Sequence, residues 1–282
     1  MPVPAETHEV KLSYSDLLAQ ARSLKLAPAD AAILMCHRLG ISRASLIAYP
    51  ERIVTATLAA QIQADFAART RGVPVAYLCG VQEFYGLTLA VSPDVLIPRG
   101  DTETLVDTAL AAFDRVQVVH ALDLGTGSGA IALAIKHSKP DWQVTALDAS
   151  IDALIVAQNN AKRLNLNINF LLSSWFDALS NEKFDVIVSN PPYIVEGDWH
   201  MTALAYEPKQ ALTSGADGLD DIRQIIAHAP QFLTSNGWLL LEHGYDQAAA
   251  VRDLLDKRGF VQVQSKLDLA GIERCSGGQW LT

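Results

Sequence analysis

The sequence contains few of the residues that build disulfide or metal sites. Only three of its 282 residues are cysteines, and Cys36, Cys79 and Cys275 are scattered without a Cys-x-x-Cys pair. The seven histidines show no spacing typical of metal ligands. An odd, scattered set of cysteines indicates reduced thiols rather than a disulfide framework. We therefore expect a cytoplasmic protein without a metal centre.

Long apolar runs are also absent. No uninterrupted stretch reaches the roughly 18 apolar residues that a membrane-spanning helix needs. The first residues lack the basic and apolar regions of a secretory signal. Apolar residues still make up 50% of the chain and charged residues 19%, so that a packed core can form. We expect a folded monomer that does not associate with membranes.

Basic residues are scarce in the larger part of the chain. Residues 1–74 carry eight Lys or Arg and six Asp or Glu, a net charge of +2, whereas the remainder carries 14 and 25, a net charge of −11. Non-specific binding to nucleic acid needs Lys and Arg to displace counterions from phosphates. We therefore expect no stable nucleic-acid binding.

Hydrophobic periodicity divides the chain into three regions. Amphipathic helical patterns fill the first and predict a small helical domain over 1–74. Residues 75–98 change character, and 84–91 are typical of a β-hairpin with Gly86 near its bend, which we interpret as a linker. Residues 99–282 form a third and larger domain.

The larger domain alternates strands and helices. A helix begins at Asp101, since a carboxylate is favourable in a first turn. Strands are predicted at about 118–124, 143–148, 168–172, 184–189 and 237–242, and helices at about 128–138, 151–164, 219–233 and 246–258. This order predicts an α/β fold with a mostly parallel, doubly wound sheet. Two late strand-like runs, 260–267 and 274–281, lack a helix between them and predict an antiparallel strand at the sheet edge.

A glycine-rich turn follows the first of these strands. Gly125, Gly127 and Gly129 let the backbone approach a ligand, and the helix that starts there offers free N–H groups. With Asp148 placed to hold ribose hydroxyls at the end of the next strand, the motif suits either NAD or S-adenosylmethionine. Asp123 favours the second ligand, because a carboxylate pairs with a cationic amino group and opposes a pyrophosphate.

A second turn, Asn190-Pro191-Pro192-Tyr193, follows the strand at 184–189. The prolines fix φ and lack an N–H, and the residue before each proline is held extended. The stiff turn leaves carbonyl groups without local donors. A planar –NH2 group fits such a site, because two acceptors take its hydrogens and the Tyr193 ring takes its plane. The turn therefore indicates chemistry on an amide or amine nitrogen, with a sulfonium methyl donor as its natural counterpart.

These motifs resemble those of a known family. Asp123–Gly129 resembles motif I of class I methyltransferases, and Asn190–Tyr193 resembles the amino-group methyltransferase motif. The wider similarity is to the PrmC/HemK family, and it comprises Phe84-Tyr85-Gly86, Leu96–Arg99, Asp101-Thr102-Glu103, Tyr206-Glu207-Pro208, Asp217–Asp220, Leu240–Gly244 and Asp268–Ile272. One departure is Gly100, where the family usually has proline; glycine loosens that turn.

The resemblance implies a fold and an activity. Enzymes of this family methylate the glutamine side-chain nitrogen of a Gly-Gly-Gln motif in peptide chain release factors, with S-adenosylmethionine as donor and S-adenosylhomocysteine as product. It also implies a class I methyltransferase Rossmann-like sheet of seven strands, the last antiparallel. The expected cofactor residues are Asp123, Gly125, Thr126, Gly127, Ser128, Gly129, Asp148, Trp175 and Asn190, and the expected substrate residues are Asn190, Pro191, Pro192 and Tyr193.

We expect Asn190, Pro191 and Tyr193 to carry catalysis. The Asn190 side-chain oxygen and the Pro191 carbonyl accept the two N–H bonds of the substrate amide in this hypothesis, and Tyr193 packs on the amide plane. The sequence shows no dedicated general base, so that the proton is lost to water.

Other residues have simpler expected roles. Arg99, Asp101 and Glu103 form either a helix cap with surface ion pairs or a closure over a ligand. Glu242 and His243 are expected to organise local hydrogen bonds. The helical domain is expected to dock the substrate protein, since it is mildly positive and covalently tied near the site.

Three other functions remain alternatives. A glutamine methyltransferase for a ribosomal protein shares both turns, and a DNA or RNA adenine N6-methyltransferase needs a basic cleft that is not obvious. An NAD-dependent oxidoreductase or a nucleotide-binding module leaves Asn190–Tyr193 unexplained. The tripeptide Gly277-Gly278-Gln279 copies the methylated motif, which we interpret as chance because an edge strand is expected there.

Overall fold

The computed structural model describes residues 11–114, 118–202 and 204–281, without the side chain of His200. The chain forms two compact units, Met1–Gly80 and Val81–Thr282. The first ten residues of the predicted helical domain lie outside the described residues. No helix within the described ranges is both long and apolar enough to cross a membrane.

The first unit consists of helices and one short strand pair. Its elements are β1 (Leu12–Ser13), α1 (Tyr14–Ser23), α2 (Pro28–Leu39), α3 (Arg43–Ala48), β2 (Ile53–Val54), α4 (Ala56–Thr70) and α5 (Val75–Cys79). Ser13 Oγ accepts the Asp16 N–H at 3.2 Å and the Asp16 carboxylate accepts the Ser13 N–H at 2.9 Å, which caps α1. Leu17, Met35 and Ile62 are fully buried and join α1, α2 and α4 in one core.

The boundary between the units falls inside the range 75–98, which the sequence assigns to a hairpin linker. Its first residues form α5, because Val75 and Leu78 pack on the core of the helical unit. The hairpin itself belongs to the second unit.

The second unit begins with that hairpin and continues as an α/β sheet. Its elements are β3 (Val81–Phe84), β4 (Leu87–Ala90), α6 (Glu103–Ala112), β5 (His120–Leu124), α7 (Ala130–Ser138), β6 (Gln143–Asp148), α8 (Ile151–Leu164), β7 (Asn169–Leu172), β8 (Phe184–Ser189), α9 (Asp220–His228), β9 (Leu233–Glu242), α10 (Ala248–Arg258), β10 (Val261–Leu267) and β11 (Glu273–Trp280). One turn of 3-10 helix, Gly100–Thr102, precedes α6. The helix predicted at 219–233 ends at His228, ahead of Pro230, because proline does not continue an α-helix.

Seven strands form one sheet in the order β10-β11-β9-β8-β5-β6-β7. The strands from β9 to β7 are parallel, and β11 is antiparallel to both β9 and β10. Leu105 and Ile131, from α6 and α7, belong to the apolar core on one face, and Ile222 and Val251, from α9 and α10, to the core on the other. The predicted α/β fold, doubly wound with its last strand antiparallel, is confirmed. This strand lies one place inside the edge, because β10 takes the outer position.

The tripeptide Gly277-Gly278-Gln279 lies in β11, where packing explains both glycines. A Cβ on Gly277 would clash with Leu240 of the neighbouring strand, and one on Gly278 would lie 2.8 Å from the Phe260 Cβ. A strand paired on both sides leaves no room for larger side chains at these positions.

Hydrogen bonds to α6 and α8 hold the hairpin against the sheet domain. Tyr85 and Gly86 form its two-residue turn with φ of +51° and +74°, a conformation that favours glycine. The Tyr85 N–H donates to Glu103 Oε1 at 2.8 Å. Asn160 of α8 pairs with both backbone groups of Ala90, at 2.7 and 2.9 Å. The hairpin is therefore part of the second unit's framework.

Gly100 is a position where proline is expected to stabilise the fold. It begins the 3-10 turn, the preceding Arg99 is extended with φ of −106° and ψ of 148°, and a Cβ at residue 100 would meet nothing within 4 Å. Proline suits such a first helical position and an extended residue before it. We expect Gly100→Pro to raise the free energy of unfolding by about 0.4–1 kcal/mol, because it restricts the unfolded chain. Urea unfolding beside a Gly100→Ala control measures this, and a less stable proline variant would contradict it.

Candidate active site

Four parallel strands end level with one another at one edge of the sheet. Leu124 of β5 pairs with Leu147 of β6 and with Ser189 of β8, and Ser189 pairs in turn with Leu241 of β9. The residues that directly follow these positions are Gly125, Asp148, Asn190 and Glu242. Ligands of doubly wound sheets bind beyond the carboxyl ends of the strands, which is where the predicted site residues lie.

A cavity of about 570 Å³ opens at this edge. The predicted residues that line it are Gly125, Gly127, Asp148, Trp175, Asn190 and Pro192. Its size and its mixed polar and apolar wall suit a ligand as large as a nucleoside derivative. Among the described residues, no three His, Cys, Asp or Glu side chains are grouped as metal ligands.

The remaining predicted loop residues lie beneath the cavity wall. Asp123, Thr126 and Ser128 are buried. A Cβ on Gly129 would lie 2.9 Å from Leu133 Cδ1, so that glycine permits close packing of the loop on α7. These residues shape the loop and do not form the wall of the cavity.

The N–H groups of the glycine-rich loop are largely used within the protein. Gly125 and Thr126 both donate to the Leu147 carbonyl at 2.9 Å. The Gly127 N–H donates to Asp148 Oδ2 at 2.8 Å. A phosphate would have to break these hydrogen bonds and would be repelled by the Asp148 carboxylate. A cationic ligand needs no N–H donor and would be attracted by that carboxylate.

Asp148 ends β6 and presents its carboxyl group to the cavity. Its Oδ1 accepts the Ser150 N–H at 2.9 Å and its Oδ2 accepts that of Gly127, so that each oxygen keeps a lone pair for a ligand hydroxyl. Burial raises the pKa of this carboxyl, and hydrogen bonds from the backbone N–H groups of Ser150, Gly127 and Ala149 oppose the rise.

Asp123 is a fully buried carboxyl group below the loop. Its pKa is raised to about 7. Burial is the largest cause of the rise and the charge of Asp148 adds to it, while hydrogen bonds from the Thr126 hydroxyl and the Ala132 N–H oppose it. Thr126 Oγ1 and the Ala132 N–H both bind Oδ2, at 2.7 and 3.2 Å. Oδ1 has no hydrogen-bond partner within the described residues.

Trp175 lies against the glycine-rich loop. Its ring carbon Cζ3 is 3.7 Å from the position that a Cβ would take on Gly125. The residue is half-buried, and it packs on the core while it lines the cavity. A flat apolar ring in the wall suits stacking on an aromatic base.

A second cavity of about 90 Å³ adjoins the first. Its wall includes Leu96, Arg99, Asn190, Tyr193 and Leu204, and both Leu96 and Asn190 line the larger cavity as well. This volume is about one sixth of that of the larger cavity. It is room for the end of one polar side chain.

Asn190 is held by its amide nitrogen. Nδ2 donates to Thr102 Oγ1 at 3.3 Å, which leaves Oδ1 as the free acceptor. The carbonyl of Pro191, a buried residue, receives no hydrogen bond from the described part of the chain. Within the described ranges, no donor binds either of the two acceptors that the sequence assigned to an amide –NH2.

Tyr193 is bound to a buried carboxyl group at the end of β9. Its hydroxyl donates to Glu242 Oε1 at 3.3 Å. Glu242 is 2% exposed, and burial raises its pKa to about 7 against hydrogen bonds from Thr102 and Tyr193 and the charge of Arg274. Burial also raises the pKa of Tyr193, whose hydroxyl therefore stays neutral.

His243, the neighbour of Glu242, is buried and makes only local hydrogen bonds among the described residues. Its Nδ1 donates to the Gly244 carbonyl at 2.9 Å, and its Nε2 therefore accepts from Ser276 Oγ at 2.7 Å. Burial lowers the pKa of the ring, which is neutral. The expected role in organising hydrogen bonds fits this geometry.

Two side chains with no assigned role in the sequence reading support the site. Asn160 donates to the Ser128 carbonyl at 2.9 Å. Gln247 donates from Nε2 to the Tyr193 carbonyl at 3.1 Å and accepts the Gly244 N–H at 2.8 Å. The sequence indicates a structural role for Asn160 through its place on the apolar stripe of α8, because a buried polar side chain must find hydrogen-bond partners.

Arg99, Asp101 and Glu103 all make structural contacts. Arg99 forms an ion pair with the buried Glu207, and Asp101 Oδ2 lies 3.3 Å from Arg274 Nη2. Glu103 holds the hairpin turn. Arg99 and Asp101 thus make ion pairs and Glu103 accepts a backbone N–H, while Arg99 also lines the smaller cavity.

Asp123 gives a pH-dependent prediction for stability. Its pKa in the folded protein, about 7, lies above the ordinary value of 3.8, so that the folded state binds more protons between these values and loses stability as pH rises. We expect the free energy of unfolding of Asp123→Asn, relative to wild type, to increase by up to about 4 kcal/mol from pH 4 to 8. Urea unfolding across this range tests it, with the exposed Asp141→Asn as control. A difference independent of pH would contradict the prediction.

Comparison with known proteins covers both units. The family described as PrmC N-terminal domain matches residues 12–80, and the family described as Methyltransferase small domain matches residues 102–258. Release factor glutamine methyltransferases from Burkholderia pseudomallei and Pseudomonas aeruginosa are each 49% identical to this chain, over 92% and 89% of its length and 94% and 92% of theirs.

A solved structure supports the fold. A methyltransferase from Pyrococcus furiosus is 17% identical, covers 81% of this chain and 100% of its own, and superposes with a TM-score of 0.52. The resemblance to the PrmC/HemK family is thereby confirmed by sequence and the methyltransferase sheet by structure. The two relatives that are 49% identical over 92% and 89% of this chain show that it belongs to the release factor glutamine methyltransferase family.

Proposed function

We propose that this protein transfers a methyl group from S-adenosylmethionine to the glutamine side-chain nitrogen in the Gly-Gly-Gln motif of peptide chain release factors. The observation that carries the proposal is Asn190, which lines both cavities while Thr102 holds its amide nitrogen. The residue therefore belongs to the wall between a cavity of cofactor size and one of side-chain size. The names of relatives at 49% identity supply the substrate class.

The larger cavity fits S-adenosylmethionine better than a dinucleotide. The N–H groups of the loop donate within the protein, and the carboxyl groups of Asp123 and Asp148 lie beside them. A pyrophosphate would meet negative charge, whereas sulfonium and ammonium groups meet charge of the opposite sign. When bound, the cofactor supplies an electrophilic methyl group.

The proposed cofactor contacts follow from the wall of this cavity. We assign Asp148 to the ribose hydroxyls and Trp175 to the adenine, with Gly125 and Gly127 allowing close approach of the backbone. Asp123 acts through its charge from beneath the loop. The residues that only shape the loop are Thr126, Ser128 and Gly129.

The turn at Asn190 orients the substrate amide. An amide nitrogen is a poor nucleophile, because its lone pair is delocalised into the carbonyl. Asn190 Oδ1 and the Pro191 carbonyl accept its two N–H bonds, direct the nitrogen toward the larger cavity and stabilise the positive charge it gains. Pro192 stiffens the turn and the Tyr193 ring packs on the amide plane. Positioning of this kind lowers a barrier by up to roughly 7–11 kcal/mol, and the proton leaves to water afterwards.

The helical unit is the proposed docking surface for the release factor. It exposes the apolar residues Ile47, Tyr49 and Ile53, at 70%, 53% and 54%, on a domain over 1–74 that carries a net charge of +2. We propose that these side chains form one surface, since contiguous exposed apolar patches mark protein–protein contacts. We propose that the protein works as a cytoplasmic monomer and forms no stable complex with nucleic acid.

Asn190→Ala tests the turn directly. Loss of one acceptor should lower kcat by about 100-fold or more, while the affinity for S-adenosylhomocysteine stays within about tenfold of wild type. Single-turnover kinetics and calorimetric titration give these two quantities, and Asn181→Ala, at an exposed loop position, is the control. An unchanged kcat would refute the assigned role.

The substrate is identified by a labelling experiment. In three separate reactions, the purified protein is incubated with radiolabelled S-adenosylmethionine together with a release factor, a ribosomal protein fraction or DNA. We expect label on the glutamine of the Gly-Gly-Gln motif, and a release factor with alanine at that glutamine should take up none. Label on a ribosomal protein or on adenine would replace the proposal with one of the alternatives.

A further inference from the structure

We propose that Glu207 makes the smaller cavity selective for glutamine over glutamate, because its carboxylate neutralises Arg99 in the cavity wall. The inference rests on the proposed function and deepens it, since it concerns which side chain of the substrate protein the cavity accepts. It assigns a role in the reaction to a buried residue that lines neither cavity.

Glutamine and glutamate are nearly equal in size, so that the shape of a cavity does not separate them. Hydrogen bonding and charge must do so. The Asn190 side-chain oxygen and the Pro191 carbonyl suit the amide of glutamine, whose –NH2 donates two hydrogen bonds. A carboxylate has no N–H to donate and is repelled by both oxygens. These two acceptors therefore favour glutamine.

Arg99 opposes that preference. It is the one charged residue among the described residues that line the smaller cavity. A guanidinium is always protonated, and its fork of N–H groups matches a carboxylate. An Arg99 without a partner would therefore attract the glutamate side chain that the two acceptors reject.

Glu207 already occupies the guanidinium group of Arg99. Its Oε1 accepts from Arg99 Nη2, and its Oε2 accepts the Ile97 N–H at 3.0 Å. The Glu207 side chain is 3% exposed, whereas that of Arg99 is 39% exposed. Two donors thus fix a carboxylate that is shielded from water, and the ion pair carries no net charge toward the cavity.

The same contacts join two walls of the cavity. Glu207 ties residues 96–99 to residues 204–212, and both segments contribute to the lining. The Leu212 carbonyl accepts the Tyr193 N–H at 3.2 Å, which connects the second segment to the proline-rich turn. A test must therefore separate the charge of Glu207 from its part in holding the walls together.

Glu207→Gln makes this separation, because it keeps the size of the side chain and an oxygen for the Ile97 N–H but removes the charge. Two release factors are compared, one with its Gly-Gly-Gln motif and one with glutamate in place of the glutamine. Calorimetric titration in saturating S-adenosylhomocysteine gives both dissociation constants. Since the two proteins share every other surface, the ratio of the glutamate constant to the glutamine constant reports the side chain alone.

We expect the wild-type protein to bind the glutamine form more tightly, with a ratio of at least about ten. Glu207→Gln should lower this ratio by about tenfold, because Arg99 is left free to pair with the substrate carboxylate. Water reaches the exposed part of Arg99 and screens its charge, which keeps the change from being larger.

Two further variants show that charge is the cause. The double variant Arg99→Gln/Glu207→Gln removes both charges and should return the ratio to within about threefold of wild type. Arg99→Gln alone removes the attraction and should leave the ratio at or above the wild-type value. Walls that were merely loosened would shift all three variants in the same direction.

Glu273→Gln is the matched control. It removes the partner of Arg252 in an ion pair of 2.7 Å, and neither residue lines a cavity. The ratio should stay at the wild-type value, which shows that loss of an arginine–glutamate pair elsewhere in the sheet domain has no such effect.

Three results would overturn the inference alone: a wild-type ratio near one, an unchanged ratio in Glu207→Gln, or an equal fall in the double variant. If circular dichroism shows that Glu207→Gln is unfolded, Arg99→Gln decides, and a lowered ratio there would contradict the role of the ion pair. A wild-type protein that neither binds nor labels the release factor would overturn the proposed function together with this inference.

Discussion

The site depends on the register of the parallel strands. Because β5, β6, β8 and β9 end level, a loop, two carboxyl groups and a rigid turn from four distant segments meet at one edge. A slip of one residue in any strand would turn its side chains to the opposite face of the sheet. Asp148 would then leave the cavity wall, and Glu242 would leave the turn it supports. The apolar cores on both faces hold this register.

Buried negative charge is the second constraint on this molecule. Asp123 and Glu242 are buried, and each has one oxygen without a partner among the described residues. Arg274 is the cation that acts on Glu242, and it also binds Asp101 and Asp268. Buried carboxyl groups of this kind lower the stability of a fold, and they concentrate where binding or catalysis needs a charge. The buried carboxyl groups of the site therefore lower the stability of the folded protein.

The fold and the two central motifs were readable from local sequence patterns. Apolar runs such as 184–189 give the strands, and the glycine-rich and proline-rich turns stand directly after two of them. The supporting hydrogen bonds were not readable, since they join residues far apart in the chain. Asn190 and Thr102 are 88 positions apart, and Tyr193 and Glu242 are 49 apart. No local pattern encodes such pairs; only the packed sheet brings them together.

The position of β11 has a consequence for how the protein is made. This strand is the last of the seven to leave the ribosome, yet it pairs with β9 on one side and β10 on the other. Until residues 273–280 emerge, β9 presents an open edge and β10 has no neighbour in the sheet. An open edge invites pairing with other chains. Nascent copies of this protein are therefore most vulnerable to aggregation in the interval before β11 has emerged and paired with β9 and β10.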